Sequence, residues 1–402
     1  MADNFPPELS FDNYKLLSDL LLISFILLSF HSPRSLLHLI ILIIIIICFI
    51  IQPIIYKGKY SAIVHSRVSS FAITFGFKMC IWLKNFVNIT HNTTVSDFQP
   101  FLYTLFYWRK NVTSGKKDDF QPTNKLIIKN ILERIVFMFI KWIIYEGCFI
   151  LVDMYSNINE IPPSPYFFRI FDMFISGKSP ITIKLLLLCS LYMVLVYFIM
   201  SLTYDQFLLI TGIILLFLNI IFPFLSDTNI TFFKRKIITI RRWCISFLFD
   251  TQYIFNSPWL STSPREFWSY RWNTFYNEIW KELGYIPLHN YLITSHSFSS
   301  NNKKKLIKMM GVLGAFFISG ILHEYLLWTE TNKLTLEQFN FFLFHGIIFI
   351  IWEFISIKND FKGRIILFLI LFFSLPSMIE PYLRYDQWII PSYFININRI
   401  SS

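Results

Sequence analysis

Long apolar runs separated by short polar breaks set the pattern of this chain. Residues 16–30 and 36–56 read as spans; the second contains five successive isoleucines and reaches Pro53, with Lys57 and Lys59 beyond it. Residues 69–83 make a weaker candidate because Lys78 interrupts them. Residues 126–152 carry Lys129, Glu133, Arg134, Lys141 and Glu146, which predicts an interfacial helix plus one span. After the linker that begins Ile161-Pro-Pro-Ser-Pro, residues 167–175, with Arg169 and Asp172, predict a surface-lying amphipathic turn. Clean spans are predicted at 181–203 and 207–225, joined by a tight turn at Tyr204, Asp205 and Gln206, and further spans at 306–328, 339–357 and 365–383. With no internal repeat or domain break, residues 1–402 are expected to form a single domain whose distinctive core is 256–330.

The stretch from Ser263 to Trp328 departs from this pattern. Ser263 can cap a helix, Pro264 suits its first turn and Glu266 completes a capping box, whereas Gly284 and Pro287 are stop signals. Trp268, Trp272, Phe275, Ile279 and Leu283 share one stripe, and Asn273 lies to its side with Ser269, Asn277 and Trp280, so an amphipathic helix on the membrane surface is expected. Lys303, Lys304, Lys305 and Lys308 then open an apolar helix carrying SGILHEY. His323 lies roughly 22 Å beyond Lys308 at about 1.5 Å per residue, deep in the bilayer. Gly311, Ala315, Ser319 and His323 recur at every fourth position, forming a strip of small side chains that either packs a neighbouring helix or lines a narrow tunnel.

Composition narrows the class. Of 402 residues, 54% are hydrophobic, 19% aromatic and 15% charged, far too apolar for a water-soluble domain of this length. The net charge of +11 points to cytosolic loops and membrane lipids, not to nucleic acid. Lys234, Arg235, Lys236, Arg241 and Arg242 mark a cytosolic face, which puts the 263–285 helix and Lys304 on that side and sends the His323 helix outward. Cys48, Cys80, Cys148, Cys189 and Cys244 show no paired spacing, so they read as small core residues instead of a disulfide frame or zinc site. The acidic N-terminal stretch lacks the basic region of a cleaved signal peptide, so the first span is expected to be retained. Asn88, Asn92 and Asn111 open glycosylation triplets, but Lys116 and Lys117 in the same polar stretch argue for the cytosolic side.

SPREFWSYRWN followed by FFISGILHEY resembles the signature of the wax synthase branch of the membrane-bound O-acyltransferase family. Members of that family move an acyl group from acyl-CoA to a hydroxyl. The apolar runs give an all-α, polytopic integral membrane protein with about eight or nine transmembrane helices, and the resemblance implies that they surround an intramembrane reaction chamber, in the endoplasmic reticulum. Its two functional positions, the Asn of the WN pair and the intramembrane His, match Asn273 and His323. Other branches place an acidic residue and a second Trp before that Asn, where this chain has Tyr270, Arg271 and Trp272. That favours a long-chain alcohol as acceptor, with a sterol or a specialised small alcohol as the alternative. A transporter is the rival from another class, and broken spans in matching halves, its usual mark, are not evident.

The implied chemistry needs few parts. A thioester is activated enough to react without a covalent enzyme intermediate, so no metal or prosthetic group is called for and acyl-CoA acts as co-substrate. His323 would be the general base, help of a kind worth roughly 10² to 10⁴ in rate, and Asn273 could donate to the developing oxyanion. Further substrate-binding candidates are Arg265, Trp268, Arg271, Trp272, Ser319 and Glu324. The arginines could hold phosphates or simply suit a lipid surface, and Glu324, turned about 100° from His323, suits a structural hydrogen bond.

Overall fold

In a computed structural model the protein is described over residues 9–30, 35–57, 59–60, 62–92, 101, 120–155, 161–177, 181–222, 231–295 and 301–385. The long helices among them are α1 (Phe11–Ser29), α2 (Leu36–Ile55), α3 (Ala62–Asn92), α4 (Asn124–Tyr155), α5 (Tyr166–Ser176), α6 (Ile183–Ile221) and α7 (Thr231–Phe249). After an irregular stretch come α8 (Ile286–Ser295), α9 (Asn301–Thr331), α10 (Glu337–Ile355) and α11 (Phe361–Arg384). The expected all-helical class is found. Among the described residues, six helices are long and apolar enough to cross a membrane: Leu36–Ile55, Asn124–Met154, Ile183–Ile221, Lys304–Thr331, Glu337–Ile355 and Phe361–Arg384. Their outer faces are apolar, as on α4, where Leu132, Val136, Phe137 and Phe139 are each more than half exposed. This is a multi-pass membrane protein.

The count falls short of the expected eight or nine: α1 and α3, which correspond to the stretches 16–30 and 69–83, are not among the six, and two further expected spans merge. The two spans expected at 181–203 and 207–225 are one continuous helix of 39 residues, with no turn at Tyr204, Asp205 and Gln206. At about 1.5 Å per residue it is roughly 58 Å long, nearly twice the hydrocarbon thickness of about 30 Å. None of the three polar residues breaks a helix. Asp205, 2% exposed, is neutralised by Arg134 and Lys141 of α4, so its charge marks a contact between helices, not a loop. The weak candidate around Lys78 is part of α3, a 31-residue helix that packs against α2 and α9.

The stretch at 167–175 is indeed a short helix, but its polarity is inverted. Arg169 points inward, 3% exposed and paired with Glu380, while Phe168, Phe171 and Phe174 are 67%, 63% and 79% exposed. An outward face of that kind suits lipid more than water. Arg384 completes the buried charge cluster, donating to Glu337 at 2.5 Å and lying 3.5 Å from Glu380. Of the cysteines, Cys189 and Cys244 are buried and Cys48 faces outward. Asn88 lies within α3, whereas Asn111, Lys116 and Lys117 lie outside the described residues.

Candidate active site

The amphipathic surface helix expected over 263–285 is a broken segment that dips among the membrane helices. It starts as expected: Ser263 Oγ accepts from the Glu266 amide at 3.3 Å. One short helical turn, Pro264–Glu266, passes into a wider turn, Phe267–Arg271, closed by the Trp272 N–H donating to the Phe267 carbonyl at 2.8 Å. Trp268 then meets Phe316 of α9 and Phe342 and His345 of α10, at ring-centroid distances of 5.8, 5.9 and 5.2 Å. Tyr276 and Trp280 go further along α9, packing on the cluster formed by Ile73, Leu322 and Tyr325. The chain then returns. A Cβ on Gly284 would fall 2.7 Å from Cα of Ala315, and one on Gly311 would fall 2.8 Å from the Tyr285 ring. Measured along α9, the segment runs from the level of Phe316 to the cluster that holds Leu322 and back to Ala315 and Gly311, a re-entrant course with Asn273 between Trp268 and Tyr276 on its inward limb. Irregular backbone is tolerated at such depth only where protein covers it.

The helical wheel could not show this, because the segment has no Gly or Pro between Pro264 and Gly284. The breaks are held by tertiary bonds. Asn273 adopts a left-handed conformation, φ 45°, which Asn tolerates better than most residues. On either side of it the chain pairs with residues 253–256: the Asn256 amide donates to Arg271 O at 2.9 Å and the Thr274 amide to Ile254 O at 2.9 Å. Thr274 Oγ1 donates to Tyr253 O at 2.6 Å. The Asn273 Oδ1 is buried and no protein group satisfies it. Gly284 does not end the helix; it lets the chain cross α9, and Pro287 falls in the first turn of α8, where a missing N–H does no harm.

His323 is fixed by its own helix. Its Nδ1 lies 2.9 Å from the carbonyl oxygen of Ser319, which can only accept, so Nδ1 carries the proton and Nε2 keeps its lone pair. Its ring lies against Phe342, centroids 4.2 Å apart. Phe342 is thus shared between His323 and Trp268, which links the histidine helix to the re-entrant segment. Trp268 Nε1 is also buried without a protein partner.

Residues 251–345, which hold both Asn273 and His323, match the profile of the Membrane bound O-acyl transferase family. Putative long-chain-alcohol O-fatty-acyltransferase 10 of Arabidopsis thaliana is 33% identical over 24% of this chain and 28% of its own length. Probable long-chain-alcohol O-fatty-acyltransferase 1 of the same plant is 33% identical over 23% of this chain and 26% of its own length. Its Acyl-CoA--sterol O-acyltransferase 1 is 31% identical over 27% and 30%. The likeness thus spans about a quarter of the length of these relatives.

Within this matched segment the other expected site residues separate. Trp268 meets Phe342, which also packs His323, Trp272 stacks on Phe267 at 5.4 Å and 12°, and buried Ser319 supplies the carbonyl that orients His323. Arg271 is engaged elsewhere. It donates to Glu266 at 2.7 Å and to Asn256 O at 3.0 Å, clamping the turn before Asn273. Arg265, its side chain 56% exposed, pairs with Glu353 at 3.0 Å at the mouth of the segment. Glu324 faces away from the site and caps α10, accepting from the Thr335 and Leu336 amides at 2.9 and 2.6 Å. His345 lies buried against Trp268 with Nε2 2.9 Å from Ser374 Oγ. The small-residue strip divides as well: Gly311 and Ala315 pack the returning limb, and only its Ser319–His323 end reaches the site.

Proposed function

We propose that this chain is an acyl-CoA-dependent O-acyltransferase that esterifies a long-chain fatty alcohol to give a wax ester. The observation that carries this reading is the His323 ring, held through Nδ1 by the Ser319 carbonyl and so left with a basic Nε2, and joined through Phe342 to Trp268 of the segment that carries Asn273. Nε2 takes the proton of the acceptor hydroxyl as its oxygen attacks the thioester carbonyl carbon. The Asn273 amide donates to the resulting oxyanion without adding charge. Collapse breaks the carbon–sulfur bond, and the imidazolium returns the proton to the departing CoA thiolate. Burial keeps out water, whose attack on the thioester would compete.

Trp268, Trp272 and Ser319 border the acyl or acceptor chain in this reading, and Arg265 is the arginine placed to meet CoA phosphates. The names of the relatives support a long-chain alcohol as acceptor, and the sterol acyltransferase among them makes a sterol the second reading. We place the protein in the endoplasmic reticulum membrane, with α1 and α3 adding two crossings to the six apolar spans. The test supplies membranes containing the protein with labelled acyl-CoA and a panel of fatty alcohols and sterols. Wax ester formation should fall at least about 10²-fold in His323→Ala with expression intact. Steryl esters alone would move the reading to the second acceptor, and no ester with any acceptor would end it.

A further inference from the structure

An ion cluster between α4 and α6, outside the family segment, is tied to the turn that carries Asn273. Arg134 and Lys141 are seven residues apart on α4, and Ser201 and Asp205 four apart on α6, so each pair shares a helix face. Arg134 Nη1 donates to Asp205 Oδ1 at 3.2 Å, and Lys141 Nζ to Asp205 Oδ2 at 2.5 Å and Ser201 Oγ at 2.7 Å. Two cations therefore face one carboxylate whose side chain is 3% exposed. The other arm of the Arg134 guanidinium donates to the Tyr253 hydroxyl, and the guanidinium lies 4.7 Å from that ring's centroid. The Tyr253 carbonyl accepts from Thr274 Oγ1, the residue after Asn273, and Tyr204 of α6 donates to the neighbouring Gln252 carbonyl at 3.1 Å.

We infer that Asp205, Arg134 and Tyr253 are positioning residues that hold the backbone behind Asn273 and thereby aim its amide. The inference rests on the reading of Asn273 given above. Asn273 sits at a left-handed position with no regular helix on either side, so its direction is set by what anchors residues 253–256. The Arg271–Glu266 clamp holds one end of that backing strand, and the α4–α6 cluster holds the other. Asp205 fixes the plane of the Arg134 fork, and a planar fork reaches two fixed acceptors where an ammonium would not. A small displacement of a donor from the reacting oxygen is enough to lower the rate by on the order of 10²-fold.

The variant that tests this is Tyr253→Phe, which removes one hydroxyl from a ring 53% exposed. It is compared with Asn273→Ala and with the double variant, reading kcat and KM for acyl-CoA and the unfolding temperature of the solubilised protein. The expected result is a kcat about ten-fold lower in Tyr253→Phe with KM and unfolding temperature unchanged, and no further loss when Asn273 is already alanine. Arg134→Lys, which keeps the charge and loses the fork, should behave like Tyr253→Phe. A full additional loss in the Asn273→Ala background, or a Tyr253→Phe kcat within two-fold of wild type, overturns the inference. Wild-type kcat in Asn273→Ala itself instead removes the oxyanion role and the positioning role with it.

Discussion

Gly284 and Gly314 cross backbone on backbone: a Cβ built on Gly284 would fall 2.4 Å from the Gly314 carbonyl oxygen, and one on Gly314 would fall 2.7 Å from the Gly284 carbonyl oxygen. Neither contact ends on a flexible side chain, so no rotamer change can relieve a methyl group there. Gly284→Ala is expected to destabilise the protein by about 1–3 kcal/mol, seen as a lower unfolding temperature in detergent. The same crossing decides what Ala315 does. Because Ala315 lies against the returning limb, Ala315→Phe should lower activity by the same factor with C8 and C18 acyl-CoA, normalised to folded protein. Selective loss of the long donors would show that this face of α9 lines an acyl tunnel.

Glu324 follows the catalytic candidate His323 in sequence but faces the start of α10. Its carboxylate accepts from amides that open that helix, which has Leu336 in a left-handed conformation at its cap. Glu324→Ala leaves those amides without their protein acceptor, a loss of capping worth about 0.5–2 kcal/mol. The expected outcome is a lower unfolding temperature with KM for acyl-CoA unchanged per folded molecule. A raised KM with unaltered stability would return Glu324 to the substrate site.

The helical class and the Ser263 cap were legible because each depends on local periodicity or on a single capping residue. The break at Asn273 was not, since its cause is distant: Ile254 and Tyr253 capture Thr274, and a helical wheel drawn over 263–285 contains neither. The false turn at Tyr204–Gln206 has a similar origin. A charged residue inside an apolar run looks like the end of a span, and only the structure shows Arg134 and Lys141 arriving from another helix to match it. Arg271 illustrates the limit of composition, because a free phosphate ligand and a clamp on Glu266 have the same sequence signature.

The Glu266 clamp also carries a pH signature. Partial burial alone would raise the Glu266 carboxyl, but the Thr262 amide and hydroxyl and the Arg271 guanidinium outweigh it and hold the group below its ordinary value of 4.5. A carboxyl depressed in the folded state adds stability that is complete above the unfolded value and is lost as pH falls through the folded one. Unfolding temperatures of wild type and Glu266→Gln should therefore differ at neutral pH and converge as the pH drops below about 4.5. A gap that stays constant through that window would show that the charge of Glu266 contributes nothing.

The orientation of the whole site follows from one end of α9. Lys304 is exposed at the start of that span, and Lys305 Nζ donates to the Glu353 carbonyl at 2.9 Å, so this end of α9 is level with the end of α10. Glu353 in turn pairs with Arg265, and Gly363 at the start of α11 packs against the Thr262 carbonyl. The mouth of the re-entrant segment and the lysines therefore share one membrane face, which the positive-inside tendency assigns to the cytosol. That is also the face from which a polar, anionic CoA must enter. A cysteine in place of Lys304 should react with an impermeant maleimide only from the cytosolic side. One in place of the exposed Asn332, beyond the other end of α9, should react only from the lumen. Labelling in the opposite sense would put the Arg265 mouth in the lumen, out of reach of cytosolic acyl-CoA, and would remove the entry route on which the acyl-transfer reading depends.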